Sequence, residues 1–208
     1  MGRRTKTQRG ITMDNTPNPN FIINYRPAIK ADARRIAELY SVAADGISDY
    51  IWSKLAEPGQ SIMDIGQQRF ERKNTAFSFE NSIVAQIEND IAAGLLAFEM
   101  QEDADYVEED PVLKPYWLLE EANSLYIAGI TVDDRWRKLG IAKTLMLMAE
   151  DKCRQLSLSK LSLIVFEENT IAHDLYLRLG YKEVMRKAIV PHSMVHCEGD
   201  ALLMVKHL

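Results

Sequence analysis

A run of apolar, β-type residues that turns abruptly into a charged, glycine-containing loop stands out in this chain. Residues 125–142 read LYIAGITVDDRWRKLGIA, and a long helical pattern follows. At such a strand–loop–helix junction the first N–H groups of the helix have no partner within the helix, and the helix dipole adds partial positive charge. Phosphate groups bind at such helix starts. The sequence therefore predicts an anion site over residues 137–143, where Arg137, Lys138 and Lys143 add positive charge.

The loop itself fits the pattern R-x-x-G-x-A over residues 137–142. Gly140 lets the backbone approach a pyrophosphate closely, and Ala142 is nearly as small. Arg137 and Lys138 supply cationic donors for phosphate oxygens. A nucleotide-triphosphate loop of the form G-x-x-x-x-G-K-T is disfavoured, because the chain has Arg and Ala where that motif needs Gly. The remaining alternative is a helix-start turn that binds no ligand.

A second polar motif follows on the next helical segment. Residues 169–176 read NTIAHDLY, and a Gly-Tyr pair comes shortly after them. Asn169 suits the N-cap of a short helix over residues 170–179, and Gly180 suits the position just past its C-terminus.

Together and in this order, the two motifs resemble those of the GNAT superfamily of acetyl-CoA-dependent N-acetyltransferases. The resemblance is specific over residues 124–182 and only topological before them. It implies that acetyl-CoA binds as co-substrate, without a metal. Its pyrophosphate would lie at the loop and the first helical turn, on Arg137, Lys138, Leu139, Gly140, Ile141, Ala142 and Lys143.

The resemblance also assigns a role to the end of the β-type run. Unpaired backbone N–H groups of Ile130 and Val132, on either side of Thr131, would hold the thioester carbonyl and the pantetheine amide. A fixed donor at that carbonyl stabilises the charge that develops when an amine attacks. Asn169 would contact the pantetheine or position its loop, a plain helix cap being the alternative.

Tyr176 is the catalytic residue that the resemblance implies, as well as a cofactor contact. Its hydroxyl would protonate the departing thiolate, and with an ordinary pKa of ~10 it is a neutral donor at physiological pH. The alternative is a core aromatic on an apolar face formed by Ile171, Leu175 and Leu179. The acetyl group would move by direct attack within a ternary complex, with no covalent enzyme intermediate. The base that deprotonates the amine is left open among Glu99, Glu120 and Glu121.

The elements that would position these residues predict an α/β fold of the α+β mixed-sheet type, a central mixed sheet flanked by helices. Alternation and β-branched content predict strands over 22–26, 82–87, 91–100, 124–132, 161–166, 182–190 and 201–206. Helical periodicity predicts helices over 30–44, 48–70 with a break at Pro58-Gly59, 140–156 and 170–179. In the third helix the expected buried stripe is Ile141, Leu145, Met148, Ala149, Cys153 and Leu156, while Lys143, Glu150, Asp151 and Arg154 are expected to face water.

The chain is expected to form one N-acetyltransferase domain over residues 21–208, after a flexible N-terminal extension over residues 1–20. An acidic insertion over residues 101–121 separates the third and fourth strands. It holds eight acidic side chains and one lysine. This charge motivates the hypothesis of a cationic acceptor, such as a polyamine or a basic peptide. The alternative is a solvated loop.

Composition bounds the remaining function classes. The chain has 208 residues, of which 47% are hydrophobic and 26% charged, with a net charge of −5, which is typical of a globular protein. A basic nucleic-acid footprint is absent, and no apolar run has the ~20 residues of a membrane helix. Two cysteines give no disulfide framework, so a cytoplasmic location is expected.

The family resemblance and the residues of the last loop indicate the expected partners and leave two alternatives open. The expected partner is a small-molecule amine or a basic peptide, with no nucleic acid and no membrane, and homodimers are common in the family. Zinc binding by His192, His196 and Cys197 is a weaker alternative to a substrate-facing loop. A second function class stays open, namely a non-catalytic acyl-CoA-binding regulatory module.

Overall fold

One mixed sheet of seven strands organises the chain. The computed structural model describes residues 21–102 and 105–208. The strands are β1 (Ile23–Pro27), β2 (Ser82–Ile87), β3 (Asp90–Met100), β4 (Ser124–Val132), β5 (Lys160–Phe166), β6 (Lys182–Ala188) and β7 (Asp200–His207). They lie in the order β1-β2-β3-β4-β5-β7-β6, and only β4 and β5 are parallel neighbours. The predicted mixed α/β architecture is confirmed.

Helices cover both faces of the sheet. They are α1 (Ala33–Ala43), α2 (Ile47–Leu55), α3 (Ile62–Glu71), the short α4 (Lys114–Trp117), α5 (Ile141–Gln155) and α6 (Thr170–Arg178). Side chains of α1 to α3 form one hydrophobic core with one face of the sheet, and those of α5 and α6 form a second core with the other face. The predicted break at Pro58-Gly59 is confirmed, since α2 ends before it and α3 begins after it.

The buried side of α5 differs in part from the predicted stripe. Ile141, Leu145, Ala149 and Cys153 are buried as expected. Leu156 is exposed, because it follows the last helical residue. The expectation that Glu150 faces water is wrong: it is buried and forms an ion pair with Lys206 of β7. The partner comes from a strand far along the chain, so helical periodicity alone could not reveal it.

The acidic insertion is tied to the rest of the domain where the structure describes it. Asp110 accepts a hydrogen bond from the Tyr50 hydroxyl at 2.8 Å and pairs with Lys54, both on α2. Farther on, Leu119 is fully buried in a third small core with residues of β7 such as Leu203. The segment therefore bridges α2 and the far end of the sheet before it enters β4.

Several expected features lie outside the described residues or differ at their edges. The predicted extension over residues 1–20 lies outside them. β1 runs from Ile23 to Pro27, one residue later at each end than the predicted strand over 22–26. The first predicted helix begins as a 3-10 turn, Lys30–Asp32, and becomes α-helical only at Ala33. None of the helices in the described part of the chain is long and apolar enough to span a membrane.

Candidate active site

A local separation of β4 from β5 creates the central feature of the candidate site. The two strands pair only where Leu125–Ile127 faces Leu161–Leu163, and the hydroxyl of Ser124, just before this stretch, forms a 2.6 Å hydrogen bond with that of Ser162 within it. Opposite β3 the register skips one residue of β4, since Ile127 and Gly129 face consecutive residues. Such a bulge, here at Ala128, bends the strand that carries it. The second half of β4 therefore leaves β5, and a gap opens between them.

The N–H groups along this half of β4 can be assigned a direction. Asp133, just after the strand, donates its N–H to the Ala92 carbonyl of β3 at 2.9 Å. Neighbouring residues of a strand direct their N–H groups to opposite sides, so the N–H groups of Val132 and Ile130 point away from β3. They face the gap, where β5 no longer pairs. Unpaired backbone donors beside a core cost free energy unless a ligand or water satisfies them.

Thr131 behaves differently from its two neighbours. By the same alternation its N–H group points back to β3. Its hydroxyl is buried on the α1 face of the sheet, beside Tyr40 and Gly129, and has no hydrogen-bond partner among the described residues. Of the three predicted residues on β4, Thr131 is thus the one that does not direct a donor into the gap.

The loop after β4 has a backbone shape that favours anions. Asp133 begins it by accepting a hydrogen bond from the Arg135 N–H at 3.1 Å, and Arg35 of α1 holds the same carboxylate at 2.6 Å. Lys138 and Gly140 both have left-handed backbone conformations, with φ values of 65° and 77°. Left-handed residues alternating with ordinary ones turn successive N–H groups to one side, which forms an anion-binding nest. For Lys138 the conformation costs about 1–3 kcal/mol.

The start of α5 completes this concave backbone. Gly140 is the N-cap residue and no side chain caps the helix, while the first turn contains no acidic residue. The first intrahelical hydrogen bond comes from Thr144 N–H to the Gly140 carbonyl at 3.1 Å, so the N–H groups before it have no partner inside the helix. A Cβ atom built on Gly140 would meet no atom within 4 Å. The space in front of the helix start is open.

The predicted side chains around this loop occupy different environments. Arg137 donates from Nε to the Val132 carbonyl at 3.3 Å and pairs with Asp134 at 2.6 Å, so an anion would compete with an exposed carboxylate for it. Lys138 and Lys143 are exposed. Leu139 is exposed, Ala142 is half-buried, and Ile141 belongs to the core under the helix.

Tyr176 lies in the core on the same side of the sheet as α5. It belongs to the cluster that contains Ile127 and Ile141, and its ring lies 5.9 Å from that of Tyr181. Burial raises the pKa of its hydroxyl, which therefore stays protonated at physiological pH. The predicted apolar face of α6 is only partly present, because Ile171 is 83% exposed.

Asn169 acts as the N-cap of α6. Its side-chain oxygen accepts a hydrogen bond from the Ala172 N–H at 3.2 Å. Gly180 follows the helix with a φ of 90°, in the left-handed conformation that its predicted role requires. These two residues fix the ends of the helix that carries Tyr176.

The three carboxylates considered as general base differ in pairing, exposure and pKa. Glu121 pairs with Lys160 of β5. Glu99 is exposed, and its neighbours on β3 place it on the α5 face of the sheet. Glu120 remains exposed as a residue, yet partial burial of its carboxylate and the nearby charge of Glu108 raise its pKa. Its charge also reaches Tyr126 of β4, whose hydroxyl has its pKa raised first by burial.

Two structural features on or near the splayed strand are not predicted by the sequence. The bulge at Ala128 depends on register against β3, which no local pattern reports. Arg69 of α3 contacts the Phe77 ring, with 5.9 Å between its guanidinium carbon and the ring centroid, and shares the α1 face of the sheet with Tyr126. In the sequence it is one more charged residue on an amphipathic helix, so only the packing distinguishes it.

A zinc site in the last loop finds no support among the described residues, where no group of three His, Cys, Asp or Glu side chains could hold a metal ion. His192 instead accepts a hydrogen bond from the Met194 N–H at 3.2 Å and packs against the Tyr50 ring at 4.5 Å. Cys197 is buried next to Tyr116.

Solved structures share this fold. A structure described only as an acetyltransferase has a TM-score of 0.62 at 20% identity, over 88% of this chain and 98% of that chain. The ribosomal-protein-alanine N-acetyltransferase from Brucella melitensis has a TM-score of 0.61 at 18% identity, over 89% and 99%. The NatC complex bound to Gag peptide and CoA has a TM-score of 0.54 at 21% identity, over 89% and 98%. These likenesses concern the fold.

The sequence of the chain matches a protein-family model. No curated protein matches the chain. The model of the acetyltransferase (GNAT) family matches residues 48–181, which is more than half of the chain and includes the splayed strands, the loop and the helix that carries Tyr176. The chain therefore belongs to the GNAT family of acetyltransferases and is an acyltransferase enzyme.

Proposed function

We propose that this enzyme moves an acetyl group from acetyl-CoA to a primary amine, by direct attack of the amine within a ternary complex. One observation carries the proposal. Where β4 leaves β5, the N–H groups of Ile130 and Val132 point into the gap, and the loop that follows leads directly to the uncapped start of α5. A row of free backbone donors of this shape suits an extended molecule with amide groups at one end and phosphates at the other.

The backbone would bind acetyl-CoA along this row. The pyrophosphate would lie in the nest around Lys138 and Gly140 and at the first turn of α5, where Arg137 exchanges Asp134 for a phosphate oxygen. The Val132 N–H would hold the pantetheine amide. The Ile130 N–H would hold the thioester oxygen, which gains negative charge in the transition state, so this bond strengthens as the reaction proceeds.

Two side chains would handle the protons. The ammonium form of the acceptor loses a proton to Glu120, whose raised pKa makes it a better base than an ordinary carboxylate. The amine nitrogen then attacks the thioester carbon, a C–N bond forms and the C–S bond breaks. Tyr176 gives its proton to the departing sulfur. Its buried hydroxyl is protonated at neutral pH, which an acid in this role requires.

Fewer carboxylates of the acidic insertion are available to bind an amine than its composition suggests. Asp110 pairs with Lys54, Glu121 pairs with Lys160, and Glu108 accepts a hydrogen bond from the Tyr106 hydroxyl at 2.7 Å. These carboxylates are already engaged within the protein. The charge of Glu120 acts on Tyr126 of β4, so we assign Glu120, rather than the whole insertion, to the positive charge of the amine.

The two cysteines are consistent with a cytoplasmic enzyme, which is the location that we propose. Both Cys153 and Cys197 are free and buried. A reducing compartment keeps such thiols reduced.

The test combines binding with turnover. Acetyl-CoA is titrated into the protein by calorimetry, and thiol release is then followed with a panel of primary amines. Tyr176→Phe should lower kcat about 100-fold, because general acid catalysis contributes effects of that size, and should change the Kd for acetyl-CoA much less. Tyr181→Phe is the matched control, since its neighbouring hydroxyl is buried and has no hydrogen-bond partner among the described residues.

The outcomes separate the alternatives. Failure of the folded protein to bind acetyl-CoA would remove the proposed function. Binding without transfer to any amine would favour the non-catalytic acyl-CoA-binding module. An unchanged kcat in Tyr176→Phe would remove Tyr176 as the acid while leaving the transfer reaction in place.

A further inference from the structure

Arg69 of α3 is a half-buried cation without an acidic partner. Its guanidinium lies over the Phe77 ring, and its pKa is lowered first by burial and then by the nearby positive charge of Arg72. Among the residues that the structure describes, no carboxylate pairs with it. By contrast, Arg26 and Arg35 are also half-buried, and each pairs with an aspartate at 2.6 Å. Burying a charge without a partner is costly, so an anionic ligand that pairs with Arg69 would gain more here than at an exposed arginine.

A continuous row of aromatic rings connects Arg69 with the candidate active site. The ring of Phe77 lies 5.6 Å from Tyr40 and 5.4 Å from Phe98, and Phe98 lies 5.6 Å from Tyr126 of β4. These contacts run from α3 across the α1 face of the sheet to the strand that carries Ile130.

Tyr40 brings this row to the point where β4 leaves β5. A Cβ atom on Gly129 would lie only 2.9 Å from the Tyr40 ring, so the ring needs the glycine at this position. Gly129 directly follows the bulge at Ala128. The aromatic row therefore ends beside the N–H groups that face the gap.

The polar groups along the row are arranged from positive to negative. The positive charge of Arg69 acts on the Tyr40 hydroxyl and lowers its pKa, against the larger effect of burial. The negative charge of Glu120 acts on the Tyr126 hydroxyl and raises its pKa further. Neither hydroxyl has a hydrogen-bond partner among the residues described. A cation at one end, two free hydroxyls and a carboxylate at the other end complement a molecule that carries an anion and an amine on an apolar body.

We infer that the acceptor is an amino acid or a related amino carboxylate, whose carboxylate is bound by Arg69 and whose amine lies toward Glu120. This inference rests on the proposed acetyl transfer and names the class of its acceptor. Arg69 can bind a carboxylate through two parallel hydrogen bonds, which gives orientation as well as affinity.

The experiment compares acids with their neutral analogues. Thiol release from acetyl-CoA is measured with the common amino acids and with short ω-amino acids, each beside its carboxamide. At least one acid should be acetylated about tenfold or more faster, in kcat/KM, than its amide, because a site built for a charged group leaves that group unpaired with the analogue. Acetyl-CoA binding, measured by calorimetry, reports separately on the proposed function.

Substitutions locate the preference. Arg69→Gln should remove the difference between acid and amide, mainly by raising KM for the acid, and should leave the Kd for acetyl-CoA unchanged. Arg69→Lys should retain part of the preference. Arg72→Gln, an exposed arginine at the end of the same helix, is the control. The melting temperature of each variant shows whether a change reflects folding instead.

Three results would overturn the inference while acetyl-CoA still binds. These are equal turnover of acids and amides by the wild-type enzyme, the absence of any acetylated acid, and an acid preference that survives in Arg69→Gln. Loss of acetyl-CoA binding by the folded wild-type protein would instead contradict the proposed function on which the inference rests.

Discussion

Glu150 of α5 and Lys206 of β7 form a buried ion pair at 2.6 Å, with only 6% and 19% of their side chains exposed. The pair links the helix whose start forms the candidate phosphate site to a strand on the far side of β5. Tyr181, whose pKa is raised by burial and then by the charge of Glu150, packs in the same region. The ion pair therefore stabilises the position of α5 against the sheet.

Removing one charge of this pair should lower the free energy of unfolding more than replacing both residues by apolar ones. Glu150→Gln should lower the free energy of unfolding by about 1–3 kcal/mol, because the half-buried Lys206 then loses its charged partner. The double variant Glu150→Leu with Lys206→Met should lose clearly less than the sum of the single changes. Asp151→Asn, which breaks the exposed contact with Arg154, should cost less than about 1 kcal/mol. Urea unfolding measures these variants together with the single changes Glu150→Leu and Lys206→Met, and additive losses in the double variant would contradict the coupling.

The same pair shows where sequence patterns stop being informative. β4 is predicted to the residue, Ser124–Val132, because an unbroken apolar run between polar residues fixes a strand locally. Gly140 at the start of α5 is equally local, since a helix start after a tight loop favours glycine. The environment of Glu150 is not set by neighbouring residues, because its partner on β7 is brought near only by the order of strands in the sheet. Helical periodicity therefore predicts an exposed side chain.

The candidate site divides in the same way. The proposed acyl-CoA side is built from contiguous residues, from Ile130 to Lys143, so motif and spacing predict it. The proposed acceptor side depends on packing between α3, α1 and β4, and Arg69 there has no distinctive neighbours in sequence. The opening between β4 and β5 also requires the bulge at Ala128, whose cause is the register with β3.

Gly140 can be tested against a glycine of matched backbone. Gly140 and Gly59 both have left-handed conformations, and a Cβ atom on either would meet no atom within 4 Å. Glutamate at either position should therefore cost a similar amount of stability, on the order of 1 kcal/mol. Gly140→Glu should in addition raise the Kd for acetyl-CoA about 100-fold or more, since a carboxylate would stand where the pyrophosphate binds. Gly59→Glu should bind as the wild type does.

Calorimetry at equal protein concentration measures this comparison, with melting temperatures as the stability control. If Gly140→Glu binds acetyl-CoA as tightly as the wild type, the loop is not the phosphate site. If both variants lose binding equally, strain rather than charge is responsible.

Glu120 should set the acidic limb of the reaction. Partial burial and the charge of Glu108 raise its pKa from 4.5, so the carboxylate is protonated at a higher pH than an ordinary glutamate. Because the base must be ionised, kcat/KM should fall as the pH drops through this raised pKa. Glu120→Gln should lower kcat/KM about 100-fold and remove the limb. Glu108→Gln should move it to lower pH by removing the neighbouring charge.

The matched control for Glu120 is the adjacent Glu121, which pairs with Lys160. Glu121→Gln should keep the acidic limb where it is in the wild type. The measurement is the pH profile of kcat/KM for the best acceptor, with acetyl-CoA saturating. A limb that persists in Glu120→Gln would assign the base to another group or to water.

Asp110 should tie the stability of the insertion to pH. Its side chain is only 10% exposed, and the Lys54 contact, together with the Tyr50 hydroxyl and the Val112 N–H, lowers its pKa to about 2. A carboxyl whose pKa is lower in the folded than in the unfolded chain stabilises the fold when ionised. This contribution is complete above pH ~4, the pKa of an unfolded aspartate, and is lost as the pH falls from ~4 toward ~2.

Asp110→Asn should accordingly lower the free energy of unfolding at pH 7 by about 1–3 kcal/mol, through loss of hydrogen bonds to a charged group. The difference from the wild type should shrink between pH 4 and pH 2, where the wild-type carboxylate also becomes protonated. Glu109→Gln, an exposed neighbour, should change little at either pH. Urea unfolding at pH 7 and at pH 3 checks both variants. A pH-independent loss in Asp110→Asn would mean that the shape of the side chain, rather than its charge, holds the insertion against α2.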